Sequence, residues 1–321
     1  MITSFDRRDL PSPPPEGAVV SIGVFDGVHL GHRATLEANL VRSRALGARS
    51  TVVTFGRHPK HVLLGREPKT LTSLEHRLEL FRRLGIEHAV VLTFDESLRS
   101  LEAERFVREF LLAELGARAF VLGFDSKFGR DRRGTAELLQ ALGLDVQVVG
   151  QVLVGGHAVS STAIREAVEL GDLEAARRML GRRVSVLGTV VPGDALGRKL
   201  GFPTANLDLH HELHPPGGVY ACWVRPIGDG GPLPATAQAV ANIGTRPTVD
   251  ATASRPRVEV HVLDFAGDLY GRSLEVDFVA RLRGEQRFAG VDELRAQIGR
   301  DIEAARGILA DAGTRASPPR G

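Results

Sequence analysis

Apolar residues change their spacing once along this chain, and the change divides it in two. From residue 19 to about 149, short runs of β-formers (19–24, 51–55, 88–94, 119–123 and 146–149) alternate with stretches of helical spacing. Such alternation predicts a parallel sheet with crossover helices. One helix follows Gly31, with Leu36, Leu40 and Val41 on one side. Another opens on Thr72, whose Glu75 three residues on makes a capping box ahead of Leu74, Leu78, Leu80 and Phe81. A third runs from about 101 to 115 and buries Phe106, Phe110 and Leu111. A helix ending near Gly171 and another over 172–180 complete this half.

Beyond Gly181, Arg182 and Arg183 the period becomes two. Runs 184–191, 219–226, 236–243, 257–265 and 274–282 read as strands with no helix between them, separated by the turn signals PGD, IGDGG and FAGD. This predicts a small antiparallel barrel. A helix over 291–309, with Leu294, Ile298, Ile302, Ala305 and Leu309 as its apolar stripe, closes the chain onto it. The expected organisation is one domain over 17–182, a second over 183–312, and flexible tails at 1–16, which ends in PSPPPEG, and at 313–321.

Composition narrows the class. A length of 321 residues suits two domains, and 43% hydrophobic with 25% charged residues is ordinary for a globular protein. A net charge of +2 and a pI near 9.0 fit a protein that handles anionic phosphates without calling for nucleic acid. The single cysteine, Cys222, excludes an internal disulfide and points to a reducing cytoplasm. No run reaches the roughly 18 apolar residues of a membrane span, so neither membrane nor nucleic acid is an expected partner.

Five stretches carry candidate chemistry. GVFDGVHLGH (23–32) is a strand-to-helix turn in which Gly23, Gly27 and Gly31 let the backbone approach a ligand. Its His29 and His32, three residues apart, share one face of a first helical turn and can bracket a phosphate. LGFDSKFGRDRRG (122–134) is a charged loop after a strand, open to a solvated or an RNA-binding reading through Arg130, Arg132 and Arg133. SSTAIR (160–165) starts a helix, where Ser161 and Thr162 can cap it or, with Arg165, hold phosphate. In GTVVPGDALGRKLGFPTANL (188–207), Gly193, Gly197 and Gly201 with Arg198 and Lys199 allow a loop over phosphates. Thr204 and Asn206 point to one side of an extended chain as hard oxygen ligands suited to Mg2+. In VEVHVLDF (258–265), Glu259 and His261 share a strand face.

These motifs, in this order, resemble the prokaryotic bifunctional riboflavin kinase/FAD synthetases. GVFDGVHLGH is similar to the HxGH signature of nucleotidylyltransferases, and GDALGRKLGFPTAN is similar to the kinase motif GxxxGRxLGFPTAN. The resemblance implies a nucleotidylyltransferase-like Rossmann-type domain followed by a riboflavin kinase barrel, with riboflavin, FMN, FAD and ATP as ligands and Mg2+ as cofactor. It implies that His29 and His32 stabilise charge during FMN adenylylation and that Glu259 is the kinase base. The ATP and phosphate contacts it implies are Gly23, Phe25, Asp26, Gly27, Gly31, Ser161, Thr162, Arg165, Gly193, Arg198, Lys199 and Gly201. Asp125, Phe128 and Arg283 would meet flavin, and Thr204 and Asn206 the metal. Two positions depart from the family pattern: Ser126 stands where GxDFxFG has its first Phe, and Arg57 where a proline is usual. They leave an alternative, a kinase whose first module only senses flavin or nucleotide.

Overall fold

The computed structural model describes residues 1–56, 69–193, 196–228, 231–245 and 256–314. It falls into two compact units, 1–161 and 162–321.

The first unit is a six-stranded parallel sheet in the order β1-β4-β3-β2-β5-β6. Its strands are β1 (Ile2–Phe5), β2 (Ala18–Ile22), β3 (Arg49–Phe55), β4 (His88–Leu92), β5 (Ala117–Gly123) and β6 (Asp145–Val149). The helices are α1 (Leu30–Leu46), α2 (Leu74–Leu84), α3 (Glu96–Ser100), α4 (Ala103–Arg105, continued π-helically by Phe106–Glu114) and α5 (Ala136–Ala141). Alternation along each strand sends neighbouring residues to opposite faces. Val52 and Ala89 pack with Leu36 and Leu40 of α1 and Leu80 and Phe81 of α2, while Val53 and Val90 pack with Phe106, Phe110 and Leu111 of α4. Val41 of α1 is 65% exposed and lies off the packed face, which is finished by Thr35, Asn39 and Ser43. Asn39 is buried because its amide donates to Val19 O and Ser21 Oγ of β2, both at 3.0 Å.

Two expectations need correction here, and one feature was not foreseen. Residues 2–5, placed in a flexible tail, form an edge strand parallel to β4, with Ser4 Oγ 3.0 Å from the ring of the buried His88. Four residues ahead of a proline-rich run are too few to show a period. Ser73, not Thr72, caps α2 by accepting from His76 N–H at 3.2 Å, and Thr72 is buried. An unforeseen hairpin, β7 (Leu153–Val154) with β8 (His157–Ala158), follows β6.

The second unit holds α6 (Ser161–Leu170, from Thr162), α7 (Leu173–Leu180) and a closed antiparallel barrel ordered β10-β13-β12-β11-β14-β9. The barrel strands are β9 (Ser185–Val191), β10 (Ala205–Asp208), β11 (Gly218–Pro226), β12 (Ala237–Thr245), β13 (Pro256–Val262) and β14 (Ser273–Arg283). A one-turn helix, α8 (Leu196–Leu200), stands inside the stretch read as loop, and α9 (Val291–Thr314) closes the described chain. Helices α6 (from Thr162) and α7 belong to this unit, and α7, with Ala176 and Leu180 buried, packs on β14. Val258, Val260, Ala241, Ile243, Val276 and Phe278 are buried along their strands. On the opposite face Val219, Ala221 and Val240 receive Ala305 and Leu309 of α9, as the apolar stripe requires. Cys222 is fully buried, and burial pushes its thiol well above the ordinary range.

Candidate active sites

In the first unit, β3 and β4 follow β2 to one side while β5 lies on its other side, so the chain reverses direction at the carboxyl end of β2. Ligands of open α/β sheets bind at such a switch point. GVFDGVHLGH emerges there. Phe25, Gly27 and Val28 adopt φ of +53°, +80° and +39°, a left-handed turn that a β-branched valine takes only when its surroundings impose it. The surroundings are specific. Gly27 N–H donates to Thr72 Oγ1 at 2.9 Å, and the buried Asp26 carboxylate accepts the N–H groups of Leu71 and Thr72 at 2.9 and 3.1 Å. Arg77, also buried, donates to Val24 O at 2.9 Å and Phe55 O at 2.6 Å, joining the loops that leave β2 and β3. Burial lowers its pKa to about 10 against the pull of Asp26, so it stays charged. Ser161 Oγ donates to Asp26 O at 3.0 Å.

His29 is the N-cap of α1 rather than part of its first turn. Its Nδ1 accepts His32 N–H at 3.3 Å, which puts the ring proton of the neutral imidazole on Nε2. The two rings stack at 3.6 Å and 16°. Gly31 makes room for this, because a methyl there would lie 3.2 Å from the His29 ring. The result is a helix N-terminus, positive by its dipole, with a ring N–H donor beside it.

At the next strand end, Ser126 N–H closes a turn on Gly123 O at 3.0 Å. A methyl on Gly123 would lie 3.7 Å from Thr35 Oγ1 and 3.8 Å from Asp125 Oδ1, so this turn lies against α1. Asp125 is exposed.

Several of the candidate side chains have partners within the protein. Asp26 faces inward onto the backbone of 71–72, and Phe25 packs edge-on to Phe81 at 5.7 Å. Phe128 is core, 5.8 Å from Phe106, and pairs with Gly134, where a methyl would strike its ring at 2.3 Å. The exposed aromatic of that loop is Phe124, at 56%. Arg130 is tied to Glu102 at 2.8 Å. Thr162 is exposed and Arg165 half-buried on α6, in the second unit. Arg57 lies outside the described residues.

In the barrel, strand register assembles the second site. Asn206 of β10 stands opposite Glu259 of β13, which stands opposite Asn242 of β12. Opposed residues share a face, so Glu259 sits between two amides on the side of the sheet away from Val258 and Val260. His261, two residues along, donates from Nδ1 to Pro203 O at 2.8 Å. Gly193 is pressed on Asn206, since a methyl there would lie 2.1 Å from its Nδ2. Gly197 is likewise pressed on Thr204, with Oγ1 at 3.2 Å from such a methyl. Asn206 Oδ1 is buried and has no hydrogen-bond partner among the described residues. An orphaned neutral oxygen two residues from a threonine hydroxyl fits a Mg2+ that takes its remaining ligands from water and phosphate. Among the described residues no group of three or more His, Cys, Asp or Glu offers an all-protein cage.

Arg198 is exposed, Gly201 takes φ of +90°, and the Lys199 side chain lies outside the described residues. Arg283, half-buried, points its guanidinium at Asp301 of α9 (2.8 Å) and Gly284 O (3.0 Å), a tether between β14 and α9. Thr72, Arg77, Asn242 and Phe124 were not foreseen as parts of either site. A lone polar residue in a helix or strand gives no signal of its partner until the register is known.

Two family models match the chain in the same order as its two folds, FAD synthetase over 12–163 and riboflavin kinase over 180–309. The bifunctional riboflavin kinase/FMN adenylyltransferase of Escherichia coli K12 is 40% identical over 304 residues, covering 93% of this chain and 95% of that protein. The proteins of the same name from Pseudomonas fluorescens and Bacillus subtilis are 39% and 34% identical, covering 93% and 90% of this chain and 95% and 91% of those proteins. A solved structure from Streptococcus pneumoniae, named as a macrolide-efflux protein, superposes with a TM-score of 0.79 at 31% identity, covering 95% of this chain and 99% of that one. That name does not carry over, and among the described residues no helix is long and apolar enough to cross a membrane. With its motifs, its two folds and its relatives in agreement over nearly its full length, the chain belongs to the bifunctional riboflavin kinase/FMN adenylyltransferase family.

Proposed function

We propose that the barrel phosphorylates riboflavin with ATP and that the parallel-sheet unit adenylylates the FMN so formed, releasing pyrophosphate. The observation that carries the kinase half is the opposition of Glu259 and Asn206 on adjacent strands, which sets a carboxylate beside an unsatisfied buried oxygen. Glu259 accepts the proton of the terminal ribityl hydroxyl as that oxygen bonds to the γ-phosphorus and the bond to the β,γ-bridging oxygen breaks, giving FMN and ADP. Thr204 and Asn206 would hold Mg2+, which when bound supplies positive charge to the phosphates. The glycines at 193 and 197 let the main chain close on these two ligands.

In the first unit, a phosphate oxygen of FMN attacks the α-phosphorus of ATP and pyrophosphate leaves. The nucleophile is already an anion, so the protein's part is to orient it and to stabilise charge, through the α1 N-terminus and the Nε2–H of His29. Both reactions draw on ATP, which supports a cytoplasmic location. The presence of HLGH, Asp125 and SSTAIR disfavours a first module that only senses flavin.

Chromatography of flavins after incubation with riboflavin, ATP and Mg2+ tests the reading. FMN followed by FAD is expected. Glu259→Gln abolishes FMN formation and keeps the conversion of added FMN to FAD, whereas alanine at both His29 and His32 does the reverse. FMN as the sole product of the wild type would favour the sensing module, and no product from folded protein would reject the assignment.

A further inference from the structure

The ladder between β10 and β13 ends at Ala205 opposite Val260. Of the two metal-ligand candidates, Asn206 therefore has its backbone fixed by strand pairing and Thr204 does not. Continuing the register by one residue sets Thr204 opposite His261, on the face that carries Glu259 and Asn206. Pro203, between Thr204 and the turn after α8, has no N–H with which to join a ladder, so its carbonyl is its one main-chain polar group. His261 takes that carbonyl. Because a carbonyl only accepts, Nδ1 of His261 carries the proton in the 2.8 Å bond. The ring also meets Phe202 edge-on, with centroids 5.8 Å apart and planes at 87°. From the other side Gly197 closes down, its carbonyl accepting Phe202 N–H at 2.8 Å and its Cα bare toward Phe202 O and Thr204 Oγ1.

We propose that His261 is a positioning residue of the kinase metal site, its Nδ1–H tether on Pro203 O holding Thr204 in register with Asn206 one residue beyond the end of the strand ladder. The proposal rests on the kinase reading above. It assigns His261 no contact with substrate. An octahedral Mg2+ tolerates little error in ligand placement, and the groups that orient its ligands set its affinity. Here the first ligand of the pair is oriented by a side chain from another strand, two residues from the base. One strand thus places the base directly and a metal ligand indirectly.

Three proteins test this: the wild type, His261→Ala and His261→Asn, whose side-chain amide nitrogen can occupy the Nδ1 position. Free Mn2+ is followed by electron paramagnetic resonance during titration in the presence of ADP. His261→Ala should weaken Mn2+ binding about tenfold and His261→Asn should recover most of that loss. The Mg2+ concentration for half-maximal FMN formation should move in parallel, and conversion of added FMN to FAD should not change. Hydrogen exchange at Ala205 and Asn206 should quicken in His261→Ala alone. Mn2+ binding by His261→Ala equal to the wild type would overturn the proposal. So would an asparagine variant as weak as the alanine one, since ring bulk and not the tether would then be responsible. A wild type that binds no Mn2+ with ADP and forms no FMN would remove the kinase reading and this proposal with it.

Discussion

Gly193→Ala offers the sharpest separation of the kinase from the rest of the molecule. The residue lies outside the left-handed region, so alanine meets no backbone penalty. The added methyl would stand 2.1 Å from Asn206 Nδ2, 2.4 Å from its Cγ and 2.8 Å from Oδ1, which is about 1.3 Å short of ordinary contact. What gives way is the amide of Asn206, the end of a short side chain, so stability should change by less than about 1 kcal/mol. Activity should change much more. A displacement of about 1 Å in a group that positions reactants costs on the order of 100-fold, or about 2.7 kcal/mol of transition-state stabilisation. Initial rates of FMN formation from riboflavin at saturating ATP measure it, with FMN-to-FAD conversion in the same preparation as the control. A variant whose kinase turnover stays within threefold of the wild type would refute the placement of Gly193 against a metal ligand. Equal loss of both activities would refute its confinement to the barrel.

Three further outcomes are expected. Arg77→Met leaves the Val24 carbonyl to the Thr54 hydroxyl at 3.2 Å and takes the guanidinium donor from the Phe55 carbonyl; at about 1–3 kcal/mol for a buried acceptor left unpaired the first unit should lose about 1–3 kcal/mol, and an unchanged urea midpoint would contradict this. Burial, with Arg49 nearby, lowers His88 from 6.5 to about 4, so the unfolded chain binds the proton first. Stability should therefore be complete above about pH 6.5 and fall by about 3 kcal/mol toward pH 4, a slope that His88→Gln should flatten in urea titrations of the first unit. Asp277 has the opposite sign: burial first and the neighbouring Glu275 second raise it from 3.8 to about 6, despite Arg225. The barrel should lose stability as pH rises through that interval, and Asp277→Asn should abolish this dependence, which the denaturation midpoint of the barrel reports at each pH.

The alternation of apolar residues made both architectures legible, because burial on one or two faces of a sheet leaves a period in the sequence. What stayed illegible has a common cause. Thr72-x-x-Glu75 fits a capping box, yet the cap is one residue later and the hydroxyl of Thr72 serves Gly27, 45 residues away. Arg77 lies among the charges of an amphipathic helix, where solvent is the ordinary destination, and only the folded loops show the two carbonyls it joins. Phe128 and Arg283 sit in motifs that suggest ligand contact, and nothing in those motifs shows that their side chains also meet Phe106 and Asp301. In each case the deciding partner is distant in sequence, and no local pattern encodes it. Glu259 and His261 were readable as sharing a face because period two is local; that Asn206 and Thr204 fall opposite them required the register.

The burial of Cys222 has a practical side. As the chain's single cysteine, wholly enclosed by the barrel and with its thiol pushed far from ionisation, it should stay inert to alkylating reagents while the protein is folded. The native surface is therefore blank to thiol chemistry. A cysteine introduced into each half can carry one dye of an energy-transfer pair without any background substitution, so the distance between the halves becomes measurable during turnover in otherwise unaltered enzyme. The same silence makes Cys222 a reporter of unfolding, since its labelling rate counts the openings of the barrel alone.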